Sequence, residues 1–374
     1  MPGVPLLQTC FSRSWGGLEM QALEVTDHLR RRGYPVWLAS CTGSRLAREA
    51  ESRGITVVTY PVSGYLHPAV IVSLSRFIRR NRIRIIHCQL SKDLSTAVPA
   101  ADLSLVHPHI ILSKRVGSSL TKTDPFHRYT YAHVDRVLAI SSVIHRNVLA
   151  TTPMTADKVI TLHDAIDIDQ FSPARARRAD VRTALGFQAG DVVAGCVGRF
   201  SPGKGHEELL QAAATVRADY PQVRFLIVGE ATAGEDAYAR QIRALAESLQ
   251  LGDGVIFAGF RRDVPDVMAS CDIFAFPSHA ESFGVVLIEA MAMELPVVST
   301  NCDGVLDIVV DGKTGLYVPP HNSTALAAAI TRLAVDPEMR RRFGKAGRER
   351  VLELFERKRQ MDRLEGIYRE VLHE

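Results

Sequence analysis

The chain has 374 residues, of which 46% are hydrophobic and 23% charged. That length suits two domains, and the composition is that of a folded globular protein, which excludes a disordered chain. The formal net charge of +4 is too small a basic excess to argue for a nucleic-acid partner.

Short apolar strands alternate with helical stretches along the whole chain. In the first half the strands read 4–9, 35–40, 55–61, 83–89, 109–114, 134–140 and 159–162. In the second half they read 192–197, 223–228, 255–258, 273–276, 297–299 and 315–318. Leu18, Ala22, Val25 and Leu29 recur at steps of four, three and four and make one apolar helical stripe. Near-continuous apolar strands with helices between them predict parallel sheets covered on both faces. Two such sets predict two doubly wound domains. The break is expected around Asp167–Arg178, where Phe171-Ser-Pro173 interrupts the pattern and a basic run follows. After Pro320 the chain reads as helical, ending in a long charged helix near Glu353–Leu372.

The six cysteines, Cys10, Cys41, Cys88, Cys196, Cys271 and Cys302, are scattered and include no C-x-x-C pair. A disulfide framework or zinc ribbon is therefore not expected, and a reducing compartment fits. The N-terminal segment lacks the basic start and apolar run of a signal peptide, and no stretch of 18 apolar residues occurs. The expected location is the cytoplasm.

Doubly wound sheets bind ligands beyond the carboxyl ends of their strands, so the strand-to-helix junctions are where chemistry is sought. The first junction reads Ser14-Trp15-Gly16-Gly17-Leu18-Glu19. Paired glycines let backbone amides approach a ligand, and a helix start there would face an anion. A tight turn with no ligand explains the pair as well. The second reads Gly198-Arg199-Phe200-Ser201-Pro202-Gly203-Lys204-Gly205. Arg199 and Lys204 flank a Gly/Pro turn and suit a diphosphate clamp, one cation for each phosphoryl group. The segment matches a P-loop until Gly205 stands where a magnesium-binding Ser or Thr is required, which discounts a kinase or ATPase. The third junction carries Glu281, Ser282, Phe283 and Gly284 ahead of a helix, with Ser282 as the expected N-cap. Glu289 lies about two turns into that helix among Leu287, Ile288, Ala290 and Met291. A buried carboxylate needs a partner, either a ligand hydroxyl or a core cation.

Together these junctions resemble glycosyltransferase family 4 on the two-domain GT-B fold. The resemblance rests on Gly16-Gly17, the Gly198-Arg199-x-x-x-x-Lys204-Gly205 loop and the E-x7-E element from Glu281 to Glu289. His163–Pro173 is similar to that family's linker, and Asp311–Leu316 to its late turn. It implies two Rossmann-like domains facing a cleft: residues 1–168 with the C-terminal helix (about 354–374) on the acceptor side, and 169–353 binding a nucleotide sugar. It implies an anomer-retaining, metal-independent enzyme with no cofactor, taking a UDP- or GDP-sugar to a glycan or lipid-linked acceptor. Arg199 and Lys204 would stabilise the leaving diphosphate, and Glu281 would hold sugar hydroxyls. The amides of Ser282, Phe283 and Gly284 would meet the sugar and the distal phosphate. Glu289 would accept from the ribose, Arg261 and Val264 would contact the base, and Gly16 and Gly17 would close over the diphosphate.

One position departs from the pattern. Where many relatives carry a His after the fifth strand, this chain has Arg115, beside Lys114. A permanent cation cannot switch its charge as His does. It suits a phosphate or carboxylate on the acceptor, or the leaving phosphate, and the Lys114-Arg115 pair resembles relatives that build lipopolysaccharide. Arg30–Arg32 and the stretch Ser75–Arg84, which mixes cations with Phe77 and Ile78, suggest docking on an anionic membrane surface. Solvated helix ends explain the same clusters. A sugar-nucleotide epimerase and a non-catalytic nucleotide-sugar-binding protein remain the alternative functions.

Overall fold

A computed structural model describes residues 3–62, 64, 67–231 and 234–373. It divides into two compact units, one running to Asp164 and resumed from Lys358, the other Ala165–Arg357. Met1, Pro2 and Glu374, at the outer ends of the expected domain ranges, lie outside the described residues.

The first unit is built on a seven-stranded sheet. Its strands are β1 (Leu6–Cys10), β2 (Val36–Cys41), β3 (Thr56–Tyr60), β4 (Ile85–Cys88), β5 (His109–Lys114), β6 (Val134–Ala139) and β7 (Val159–Thr161). The order is β3-β2-β1-β4-β5-β6-β7, and every pairing is parallel. Leu6 pairs with Val36 on one side and Ile85 on the other, so the order reverses between β1 and β4. All five residues of β1 are buried, as the apolar run required.

The second unit carries a six-stranded parallel sheet of β8 (Val192–Val197), β9 (Val223–Val228), β10 (Val255–Gly259), β11 (Ile273–Phe276), β12 (Val297–Thr300) and β13 (Gly315–Val318). Its order is β10-β9-β8-β11-β12-β13, which puts the reversal between β8 and β11. Phe225, Ile273, Ala275 and Val298 form its core with Leu209, Leu210 and Ala213 of the helix His206–Asp219. Truncating Phe225 to Ala would cost about 3–5 kcal/mol in lost burial and cavity. A Cβ on Gly195 of β8 would fall 2.4 Å from the Cys271 sulfur, so a small residue is needed there. All six cysteines are buried and unbridged.

The expected terminal helix is interrupted. Helices Pro337–Leu354 and Arg357–His373 are separated at Phe355, whose neighbour Glu356 bridges to Ile166. The second helix packs Met361, Leu364, Ile367, Tyr368 and Val371 onto Leu6, Val36, Ile85 and Ile111 of the first sheet. Tyr368 reaches the sheet interior, where its hydroxyl lies 2.7 Å from His87 Nδ1. Burial pushes His87 down to about 3, with Arg115 adding to the fall, so the imidazole is neutral. No described helix is long and apolar enough to cross a membrane.

Candidate active site

In the second unit the loops after β8 and β11 leave the sheet at its reversal point, where open α/β sheets form a crevice. They are joined there by three contacts. The His279 amide donates to the Gly203 carbonyl at 2.8 Å. Gly205 sits at φ 72°, and a Cβ on it would fall 2.1 Å from the Pro277 carbonyl oxygen. The Lys204 ammonium donates to Glu281 Oε2 at 2.7 Å. The residue that fails the P-loop pattern is thus required by the packing of these two loops. The loop after β12 completes the group, with the Gly304 amide donating to the Glu281 carbonyl at 2.9 Å and the Glu281 amide to Asp303 at 3.3 Å.

Arg199 is exposed and forms no ion pair among the described residues, so its guanidinium is available to an anion. Lys204 is instead already paired, and a diphosphate arriving there would meet an ammonium shared with Glu281. His206, next to the loop, stacks on Phe200 at 4.7 Å and is buried. Burial pushes it down to about 4, so it adds no charge near neutral pH.

The cap of the third junction differs from expectation. Gly284, not Ser282, is the N-cap of the helix Val285–Ala292, with φ 103° and no side-chain cap bond. The chain enters that helix through the left-handed region, which glycine adopts at least cost. The Phe283 ring points into the core and meets Phe355 edge-on at 5.8 Å. Glu289 is half-buried, and its carboxylate makes no side-chain bond among the described residues. Burial pushes its carboxyl up to about 8, against the pull of the Arg357 charge. Arg261 is tied to Asp263, with Nε donating at 2.8 Å, and Val264 opens the helix Val264–Ser270.

In the first unit Gly16 is the N-cap of the helix Gly17–Arg31. Its φ of −165° suits any residue, and a Cβ on Gly17 would meet open space. The fold itself does not require glycine at either position. Lys114, at the end of β5, is buried and donates to Ser91 Oγ at 3.1 Å. It has no acidic partner among the described residues; burial, with the nearby Lys122, brings it down to about 8. Arg115 is also buried, but its charge is taken up internally. Its guanidinium donates to Asp164 at 3.0 Å and to Gln89 at 2.8 Å. Of the two cations expected on the acceptor side, Arg115 is thus paired within the unit, while Lys114 is bonded to Ser91.

The basic clusters divide in the same way. Arg30 and Arg31 pair with Asp27, and Arg32 with Asp362 and Glu365. Arg76, Arg79 and Arg80 are exposed and form no ion pair among the described residues. Their apolar neighbours pack within the unit. Ile78 is fully buried, and Phe77 stands edge-on to Trp37 at 5.9 Å.

Sequence comparison matches residues 15–170 to the profile described as Glycosyltransferase Family 4, and residues 178–350 to that of Glycosyl transferases group 1. The chain belongs to glycosyltransferase family 4. Among its family relatives, a D-inositol 3-phosphate glycosyltransferase of Saccharomonospora viridis is 33% identical over 287 residues, covering 72% of this chain and 65% of its own. An alpha-D-kanosaminyltransferase of Streptomyces kanamyceticus is 30% identical over 257 residues, covering 67% and 65%. The chain therefore spans a little under two thirds of the length of these curated relatives. Two solved structures share the GT-B fold over nearly the whole chain. A glycosyltransferase from Rickettsia africae superposes with a TM-score of 0.89 at 21% identity, covering 100% of this chain and 99% of that one. Anabaena HepE, solved in complex with UDP and glucose, gives 0.85 at 22% identity, covering 98% and 99%.

Proposed function

We propose that this family 4 chain is an active, anomer-retaining glycosyltransferase that moves a sugar from a nucleoside diphosphate to a glycan or lipid-linked acceptor. The observation that carries this reading is the Lys204–Glu281 pair, 2.7 Å apart at the β8/β11 reversal, with Arg199 exposed on the same loop as Lys204. Arg199 and Lys204 neutralise the charge that develops on the departing diphosphate, the work a divalent cation does in other transferases. Glu281 orients the donor sugar through its hydroxyls while Lys204 fixes its carboxylate. A carboxylate so engaged is a poor covalent nucleophile, which favours attack on the face the diphosphate leaves, with the diphosphate accepting the acceptor's proton. Glu289 accepts from the ribose, and Arg261 and Val264 flank the base. Since HepE was solved with UDP, UDP-sugars are the first donors to test, before GDP-sugars.

Lys114, desolvated and without an acid beside it, suits a phosphate or carboxylate on the acceptor. Such acceptors fit synthesis of lipopolysaccharide or another cell-surface polysaccharide. The unpaired Arg76, Arg79 and Arg80 would hold the enzyme to an anionic inner membrane face by charge alone. A panel of UDP- and GDP-sugars, read by donor hydrolysis and by the anomeric configuration of the transferred sugar, tests the proposal. Retained configuration supports it. An epimerised donor would instead indicate an epimerase, and binding without turnover a non-catalytic binding protein.

A further inference from the structure

Three side chains outside the donor site converge in the second unit. Glu208 lies in the first turn of the helix His206–Asp219, His279 in the loop after β11, and His321 in the turn after β13. His279 Nε2 is 3.0 Å from Glu208 Oε1, and His321 Nδ1 is 3.5 Å from the same oxygen. The two imidazole rings lie 3.6 Å apart, and one ligand atom from each of the three residues falls within a 4.8 Å span. The second Glu208 oxygen, Oε2, is buried with no hydrogen-bond partner among the described residues.

We infer that Glu208, His279 and His321 form a zinc-binding site. Zinc bonds to nitrogen and carboxylate oxygen at about 2.0–2.2 Å in tetrahedral geometry, so neighbouring ligand atoms sit about 3.3–3.5 Å apart. The two separations from Glu208 Oε1, 3.0 and 3.5 Å, bracket that edge, and all three ligand atoms lie within 4.8 Å of one another. A single hydrogen bond satisfies one imidazole and leaves the other stacked against it. A shared cation satisfies both, and gives the buried Oε2 a second route to the metal or to its bound water. Two imidazoles and one carboxylate are a zinc set, with the fourth position left to water. His321 is 67% exposed, which gives the ion a path in from solvent.

The three ligands come from segments far apart in sequence, so the ion acts as a cross-link. His279 also donates its amide to Gly203, and Glu281 follows two residues later. Zinc would thus stiffen the two loops that carry Lys204 and Glu281, without touching the reacting groups. Its role is structural, and metal-independent chemistry is unaffected.

Zinc chloride is titrated calorimetrically into the untagged, chelator-stripped full chain, and thermal unfolding is followed with and without zinc. One zinc per chain is expected, with a Tm that rises on binding. His321→Asn and Glu208→Gln should each weaken binding about tenfold or more and remove the Tm shift. Asn tolerates the φ of 57° at position 321, so that variant keeps the fold. No binding at about 100 micromolar zinc, where a 10 micromolar site would be nearly full, overturns the inference. So does wild-type affinity in both variants, which would place the ion elsewhere.

Discussion

The Lys204 ammonium sits 2.7 Å from the Glu281 carboxylate, although 77 residues separate them. On the proposed function the pair would link two jobs, charge neutralisation at the diphosphate and orientation of the sugar. Lys204→Ala should lower kcat/KM by about 2–4 kcal/mol of transition-state stabilisation. Glu281→Ala should cost turnover far more than it costs binding of free UDP. The double variant should fall short of the summed losses by about 1 kcal/mol or more. Strictly additive losses in the kinetic cycle would mean that the two side chains act independently.

Arg199 has no ion-pair partner among the described residues, so its replacement should leave stability within about 0.5 kcal/mol. Arg199→Ala should still reduce transition-state stabilisation by about 2–4 kcal/mol. Urea midpoints and steady-state kinetics on one preparation separate the two effects. An unchanged kcat/KM would show that the diphosphate binds elsewhere.

Glu289 gives stability a pH dependence of definite sign. Its folded pKa of about 8 lies above the ordinary 4.5, so the fold favours the protonated form. Its contribution is complete below about pH 4.5 and is lost as pH rises through 8, with a slope of at most about 1.4 kcal/mol per pH unit. Glu289→Gln should remove that slope between pH 5 and 8. If the ionised carboxylate accepts from a ribose, UDP affinity should rise from pH 7 to 9 in the parent chain and stay flat in Glu289→Gln. Parallel stability curves for the two proteins would refute the assignment.

Gly205→Ala combines a left-handed backbone with a Cβ at 2.1 Å from Pro277 O. A loss of about 2 kcal/mol or more is expected, together with reduced donor binding, since the loops must part. An unchanged denaturation midpoint would show that the loops separate freely.

If the chain docks on an anionic surface as proposed, Arg76, Arg79 and Arg80 should each contribute about 1 kcal/mol. Replacing all three by Glu should abolish co-sedimentation with phosphatidylglycerol vesicles and leave donor hydrolysis intact. Because Phe77 and Ile78 are committed to the fold, binding of the parent chain should also disappear at high salt. Salt-resistant binding would point to an apolar anchor instead.

The strands were legible because each buried strand is a short run of apolar residues between polar helical faces, as in Val223–Val228 or Ile85–Cys88. The reversal of strand order followed from the doubly wound pattern. Contacts between distant segments were not legible. Nothing local to Gly205 announces Pro277, and nothing beside Arg115 announces Asp164, 49 residues on. The N-cap of the third junction was misplaced for a related reason. Ser282 is the better capping residue by type, but the approach of Gly304, whose Cβ would lie 2.2 Å from the Ser282 carbonyl, shapes the loop so that the turn falls at Gly284. The Asp303-Gly304 dipeptide after β12 was the available signal, and it becomes informative only once β12 is known to lie beside β11.

The helix Arg357–His373 has a consequence for how the chain is made. The first sheet is made before the second unit, yet the face that Leu364, Ile367 and Tyr368 cover stays open until this helix has also been made. The unit made second is contiguous in sequence and can close first. The unit made first must wait, with His87 still lacking Tyr368, while some two hundred residues emerge. A stop codon just after Arg357 would therefore spare the later-made half and strand the earlier one as an aggregation-prone intermediate.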